Sequence, residues 1–172
     1  MKDKLDSVDL KLIIGYSIDS ERKSKEFYEK FVESGKGQLV PRRFKSLMED
    51  EQLHREKLLS LHEKLYGNEN YVVPEKGTLP PHEDFENLKN VENLIDALDK
   101  AITNEYNAIR IYEYLADNYD KGSDLFGYLA AMEHGHYESL KEEKNLYERN
   151  AENTDQEGLS EGIWKRLGFE GM

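Results

Sequence analysis

Two Glu-x-x-His pairs, Glu51–His54 and Glu133–His136, each follow a lone glutamate, Glu21 and Glu105, on an earlier stripe of helical period. Four carboxylates and two imidazoles at the middle of four amphipathic stretches are the ligand set of a two-metal site in a helical bundle. The rest of the chain reads as scaffold for that site.

The stripes predict four helices. Residues 8 to 34 place Leu10, Ile14, Ser17, Ile18, Glu21, Ser24, Tyr28 and Phe31 at helical spacing, and Gly35 and Gly37 then stop the run. A second helix starts near Pro41, a residue tolerated in a first turn, and runs to about Tyr66. The third spans about Val91 to Asn118, and the fourth about Asp124 to Arg149. Between the second and third lies a link of about 24 residues that holds Pro74, Pro80 and Pro81. Extended at roughly 3.3 Å per residue, it can return along a helix of about 39 Å. The expected fold is therefore an all-α, ferritin-like four-helix bundle of two antiparallel hairpins joined by a long crossover. Residues 1–149 would form that bundle, and residues 150–172 a polar linker with a short apolar tail.

The spacing brings the six residues to one height. The midpoint of 21 and 51 falls in the Gly35–Gly37 turn, and that of 105 and 133 at the start of the Tyr119–Ser123 turn. In each hairpin the two glutamates thus stand about 21 to 23 Å from the bend. Within each Glu-x-x-His pair, the i, i+3 spacing puts both side chains on one face. With 24 Glu and 5 His in the chain, about 0.7 such pairs arise by chance, so one pair alone means little. Two pairs, each matched to a stripe glutamate, are another matter. Four carboxylates buried without cations would have to take up protons or disrupt the bundle.

Composition narrows the chemistry. The chain has no cysteine, so any metal must be held by oxygen and nitrogen, and disulfides, thiolate zinc and Cys₄ iron centres are excluded. A formal charge of −12 argues against a nucleic-acid partner. No apolar run approaches the roughly 20 residues of a membrane span. Leu10–Ile18 is broken by Lys11 and Gly15 and carries no cleavage-site pattern, so the expected location is the cytoplasm. Carboxylate and imidazole suit iron, manganese or zinc. In the expected arrangement Glu51 and Glu133 bridge two metals, Glu21 and Glu105 are terminal, and His54 and His136 cap one ion each.

The pattern resembles the rubrerythrin-type branch of the ferritin-like proteins. The resemblance rests on Glu21 with Tyr28, Glu51-Gln-Leu-His54, Glu105 with Tyr112, and Glu133-His-Gly-His136, and it covers residues 8 to 149. It implies a non-haem centre of two iron ions, with manganese or zinc as alternatives, that reduces peroxide or dioxygen as ferrous iron is oxidised. A metal store or buffer without turnover would use the same ligands. Rubrerythrins proper carry a further glutamate three residues after the third-helix ligand, where this chain has Ala108. The resemblance then implies a more symmetric site in which His54 stays bound in both redox states. Without cysteines there is no rubredoxin domain, so electrons would come from another protein or from incoming ferrous iron. The resemblance also implies a homodimer.

Other residues carry weaker signals. Tyr28 and Tyr112 lie two turns from Glu21 and Glu105, where they either hydrogen-bond carboxylates or pack in the core. His134 falls off its helix stripe and should face solvent. His62 should be a surface or capping residue, and His82, in the crossover, has no evident partner. The tail from Leu159 to Phe169, with the single tryptophan Trp164, is apolar enough to dock on the bundle, on a neighbouring subunit or on another partner.

Overall fold

Asp9 opens the first long helix. Its carboxylate accepts the Lys11 amide at 2.8 Å, and its carbonyl accepts the amides of Leu12 and Ile13, as an N-cap does. The computed structural model describes residues 5–33, 40–85 and 91–157, without the side chains of 40–41, 91–92 and 150–157. Four long helices follow one another: α1 (Leu10–Glu33), α2 (Val40–Tyr66), α3 (Val91–Asn118) and α4 (Ser123–Glu157). At the end of α2, Gly67 takes φ +79° and its amide reaches the Glu63 carbonyl at 2.7 Å. That left-handed stop favours glycine. Gly122, at φ +97°, makes the bend into α4. The Gly35–Gly37 turn and the tail beyond Glu157 lie outside the described residues. The fourth helix continues eight residues past Arg149, because Asn150–Glu157 contains neither proline nor glycine to end it.

α1 packs on α2 and α3 on α4, and the two hairpins meet through α1–α3 and α2–α4 contacts. The core lies in two clusters. One gathers Phe27 and Phe31 of α1, Phe44 and Leu47 of α2, Leu94 and Leu98 of α3, and Leu140 and Tyr147 of α4. The other gathers Ile13, Ile14 and Ile18 of α1, Leu58 of α2, Ile111 and Leu115 of α3, and Phe126 and Leu129 of α4. Each helix therefore ends in a different cluster from the one in which it starts, and the chain runs up, down, down, up. Only a crossover spanning the bundle's length allows two successive helices to run the same way. Each buried Leu, Ile or Phe contributes about 1.5–3 kcal/mol, so both clusters hold the mid-bundle layer between them in place.

The crossover is fastened along α1 and α3. Tyr16 donates to the Pro80 carbonyl at 2.7 Å, Lys30 pairs with Asp84 at 2.6 Å, and the Asn104 amide group exchanges two hydrogen bonds with the Glu83 backbone. Ser24 Oγ lies 3.0 Å from His82 Nε2, which supplies the partner the sequence did not reveal. Burial, with the Lys23 charge adding to it, lowers the His82 pKa to about 4, so the ring is neutral at pH 7. At Gly15 the crossover lies against α1, since a β-carbon there would stand 2.1 Å from the Val72 carbonyl oxygen. Among the described residues no helix is long and apolar enough to cross a membrane.

Candidate metal centre

Between the two core clusters the helices turn a set of buried polar side chains inward. Glu21 comes from α1, Glu51 and His54 from α2, Glu105 from α3, and Glu133 and His136 from α4. All six are buried, none more than 5% exposed. Their ligand atoms fall into two overlapping groups, Glu21–Glu51–His54–Glu133 and Glu51–Glu105–Glu133–His136, each within 4.8 Å. Glu51 and Glu133 belong to both. A pseudo-twofold axis thus relates the hairpins: it exchanges the two shared carboxylates, Glu51 and Glu133, which flank it, and a Glu–His pair lies farther out on either side.

Within each group the donor atoms lie close together. His54 Nδ1 lies 2.8 Å from Glu133 Oε1 and 3.6 Å from Glu21 Oε2. His136 Nδ1 lies 3.0 Å from Glu133 Oε2, 3.2 Å from Glu51 Oε1 and 3.9 Å from Glu105 Oε2. The two imidazoles lie nearly parallel, 5.6 Å apart. Yet Glu51 Oε1, Glu133 Oε1, both His54 nitrogens and His136 Nε2 are buried with no hydrogen-bond partner among the described residues. An unsatisfied buried polar atom costs about 1–3 kcal/mol, so a layer holding five of them is arranged for something other than its own stability. Four carboxylates balance two divalent cations, and an oxygen–nitrogen donor set suits iron, manganese or zinc. The residues fit a two-metal group.

The tyrosines strap the hairpins together. Tyr28 of α1 donates to Glu105 of α3, and Tyr112 of α3 donates to Glu21 of α1. Burial, reinforced by the neighbouring carboxylates, raises both phenols well above their usual range, so they remain neutral donors. Each fixes the orientation of one off-axis glutamate. Of the two readings open for these tyrosines, both hold: each is fully buried and hydrogen-bonded to a carboxylate. Their partners belong to the opposite hairpin, which spacing within one helix does not reveal.

Two further residues correct or extend the sequence reading. His62 is fully buried, not at the surface, and its Nδ1 pairs with the Asn68 carbonyl at 2.8 Å just past the end of α2. Its place near the end of the bundle suggested a surface or capping role; the chain past Gly67 covers it, and its hydrogen bond to Asn68 is of the capping kind. Asp50, not singled out by sequence, brings Oδ2 to 3.5 Å from His136 Nε2. His134 is exposed and faces Glu113 at 3.1 Å, as its phase predicts. Ala108 is partly buried against the second core cluster and offers no seventh ligand.

Without metal the protons are unevenly shared. Burial first, then the Glu133, Glu21 and Glu105 charges, push Glu51 well above the usual carboxylate range. Burial and the Glu133 charge do the same to Glu105, against the Tyr28 hydrogen bond. Burial opposes ionisation of Glu133 too, but the adjacent His136 and His54 imidazoles outweigh it and hold that group below its usual value. Burial likewise opposes the His54 charge, yet Glu133 and Glu21 raise it to about 10. At pH 7 His54 therefore carries a proton that a cation must displace, and Glu51 and Glu105 are biased toward their protonated forms. Metal affinity is expected to fall by at least about tenfold for each unit the pH drops from 8 to 6. Calorimetry in buffers of different ionisation enthalpy should show proton release, and a pH-independent affinity would contradict this charge distribution.

A four-helix bundle with a carboxylate–histidine cluster at mid-height defines the ferritin-like class of metal-binding proteins. The rubrerythrin family profile matches residues 13–159, most of the chain, and the chain belongs to that family. It is also similar to a solved structure, described as a hypothetical protein from Pyrococcus furiosus, with 26% identity and a TM-score of 0.79. That similarity covers 86% of this chain and 96% of the other. No protein with a curated description matches the chain significantly.

Proposed function

We propose that the protein is a non-haem di-iron oxidoreductase that reduces hydrogen peroxide or dioxygen while ferrous iron is oxidised. The observation that carries this reading is the pair of donor groups sharing Glu51 and Glu133, which suits two metals held side by side. Two iron ions bound there would supply electrons and Lewis acidity at one point. The chain's own residues do the rest. Glu51 and Glu133 would bridge, Glu21 and Glu105 would each hold one ion, and His54 and His136 would cap them. Tyr28 and Tyr112 keep the off-axis carboxylates aimed, and the two apolar clusters keep bulk water from the layer between. With Ala108 in place of a further carboxylate, the six residues offer each ion the same donors.

Electrons would come from an external donor protein, and the chain would work as a homodimer in the cytoplasm without a nucleic-acid or membrane partner. Peroxide consumption under a supplied reductant tests the reading. Many turnovers per iron pair, lost in Glu133→Ala, are expected. A single stoichiometric oxidation that then stops would assign the protein to iron storage or buffering instead.

A further inference from the structure

We propose that small oxidants reach the centre at one end only of the α2/α4 face, across His136, because Gly135 leaves that end open. The inference rests on the di-iron reading and adds to it the route taken by peroxide. It starts from the pseudo-twofold axis. Glu51 and His54 correspond to Glu133 and His136 at an offset of 82 residues, so Leu53 on α2 corresponds to Gly135 on α4. By the same offset Ser46 corresponds to Tyr128, and Lys57 to Ser139. The two ends of this face are therefore the same place built twice, once with large side chains and once with small ones.

At the His54 end the large ones form a cover. The Tyr128 ring stands edge-on to the imidazole at 6.4 Å, and the Lys57 ammonium lies 5.4 Å over that ring. Leu53 and Tyr128 are themselves exposed, while His54 beneath them has no exposure at all. The depression on this end, walled by Leu53, Lys57 and Leu125, touches none of the six site residues.

At the His136 end the small residues leave a groove of about 620 Å³ whose lining includes His136 itself, with Ser46, Gly135 and Ser139 around it. Its rim is held by Arg43, which donates to the Ser139 carbonyl at 3.1 Å and to Glu143 at 2.9 Å, tying α2 to α4. Within the groove stands Asp50, one-third exposed, 3.5 Å from His136 Nε2, which makes no hydrogen bond. One imidazole thus separates groove from metal layer, and the carboxylate beside it accepts a hydrogen bond from a small donor such as hydrogen peroxide.

Gly135 makes the route testable without disturbing the fold. A β-carbon there meets nothing within 4 Å, and the same holds for Gly127 on the same helix. Leucine is also a better helix former than glycine. Wild type, Gly135→Leu and Gly127→Leu would be loaded anaerobically with ferrous iron, assayed for iron, and mixed with hydrogen peroxide. Azide binding to the oxidised proteins gives a second rate that does not depend on turnover. Equal iron in all three is expected, with both rates at least about tenfold slower in Gly135→Leu alone. Adding Leu53→Ala to Gly135→Leu opens the other end and is expected to recover much of the loss. Full iron with unchanged rates in Gly135→Leu would overturn the route and leave the di-iron reading standing. Absence of iron from all the proteins would overturn both.

Discussion

Replacing Glu51 with leucine is expected to empty both halves of the centre at once and to leave the metal-free protein more stable than wild type. Glu51 belongs to both donor groups, so its loss removes a ligand from each ion. Changing even an outer partner of a metal ligand costs about 10–100-fold in affinity, and removing a shared ligand should cost each site at least about a hundredfold. Glu21→Leu, which touches one group only, should weaken one ion and spare most of the affinity for the other. Stability moves the opposite way. Glu51 is fully buried, its Oε1 has no hydrogen-bond partner, and it is surrounded by like charges that push it toward protonation. Exchanging such a group for an apolar one of similar volume removes the cost of a buried, unsatisfied polar atom, about 1–3 kcal/mol. For a chain of this size, that is a rise in Tm of about 2–4 °C per kcal/mol. Iron content and a thermal melt of the metal-free protein read the two effects separately. A melt well below that of wild type would show that Glu51 is there for packing.

Gly15→Ala is expected to do the reverse, keeping the ligands and damaging the fold. Alanine normally improves a helix interior by about 1 kcal/mol over glycine. Here its β-carbon would sit 2.1 Å from the Val72 carbonyl oxygen and 3.0 Å from the carbonyl carbon. The obstacle is backbone, so no side chain can turn aside, and the first residues of the crossover must move. Overpacking of this kind costs about 1–3 kcal/mol and more where backbone is displaced, so a net loss of about 2 kcal/mol remains. Tm should fall by about 4–8 °C, with iron binding retained. Gly127→Ala, with open space at its β-carbon, should raise Tm slightly. Equal behaviour of the two alanine variants would mean that the crossover does not rest on α1 at Gly15.

The bundle and its six inward residues were legible in the sequence for one physical reason. A glutamate or histidine on an apolar helical stripe is costly, so its position is informative. Matching heights about two turns of chain then fixed which of them could meet. The third helix runs over the very residues its stripe marked, Val91 to Asn118. The fourth runs to Glu157, because a periodic stripe reports where a helix is buried and says nothing about where it ends once it has left the core. Contacts between hairpins were not legible either. Tyr28 was visible as a stripe residue near Glu21, yet its hydroxyl serves Glu105 on another helix. Gly15 read only as an interruption of an apolar run, because no local pattern shows that a carbonyl 57 residues later lies against it. His62 looked peripheral from its place near the end of α2, and the turn at Gly67 buried it.

Anaerobic titration of metal-free protein with ferrous iron, followed to saturation and checked by elemental analysis, addresses the central claim most directly. Wild type should bind about two irons per chain, and Glu51→Leu and Glu133→Leu should bind close to none. Saturation below one iron per chain, or two irons that persist in both variants, would place the metal somewhere other than between the two core clusters and contradict the account.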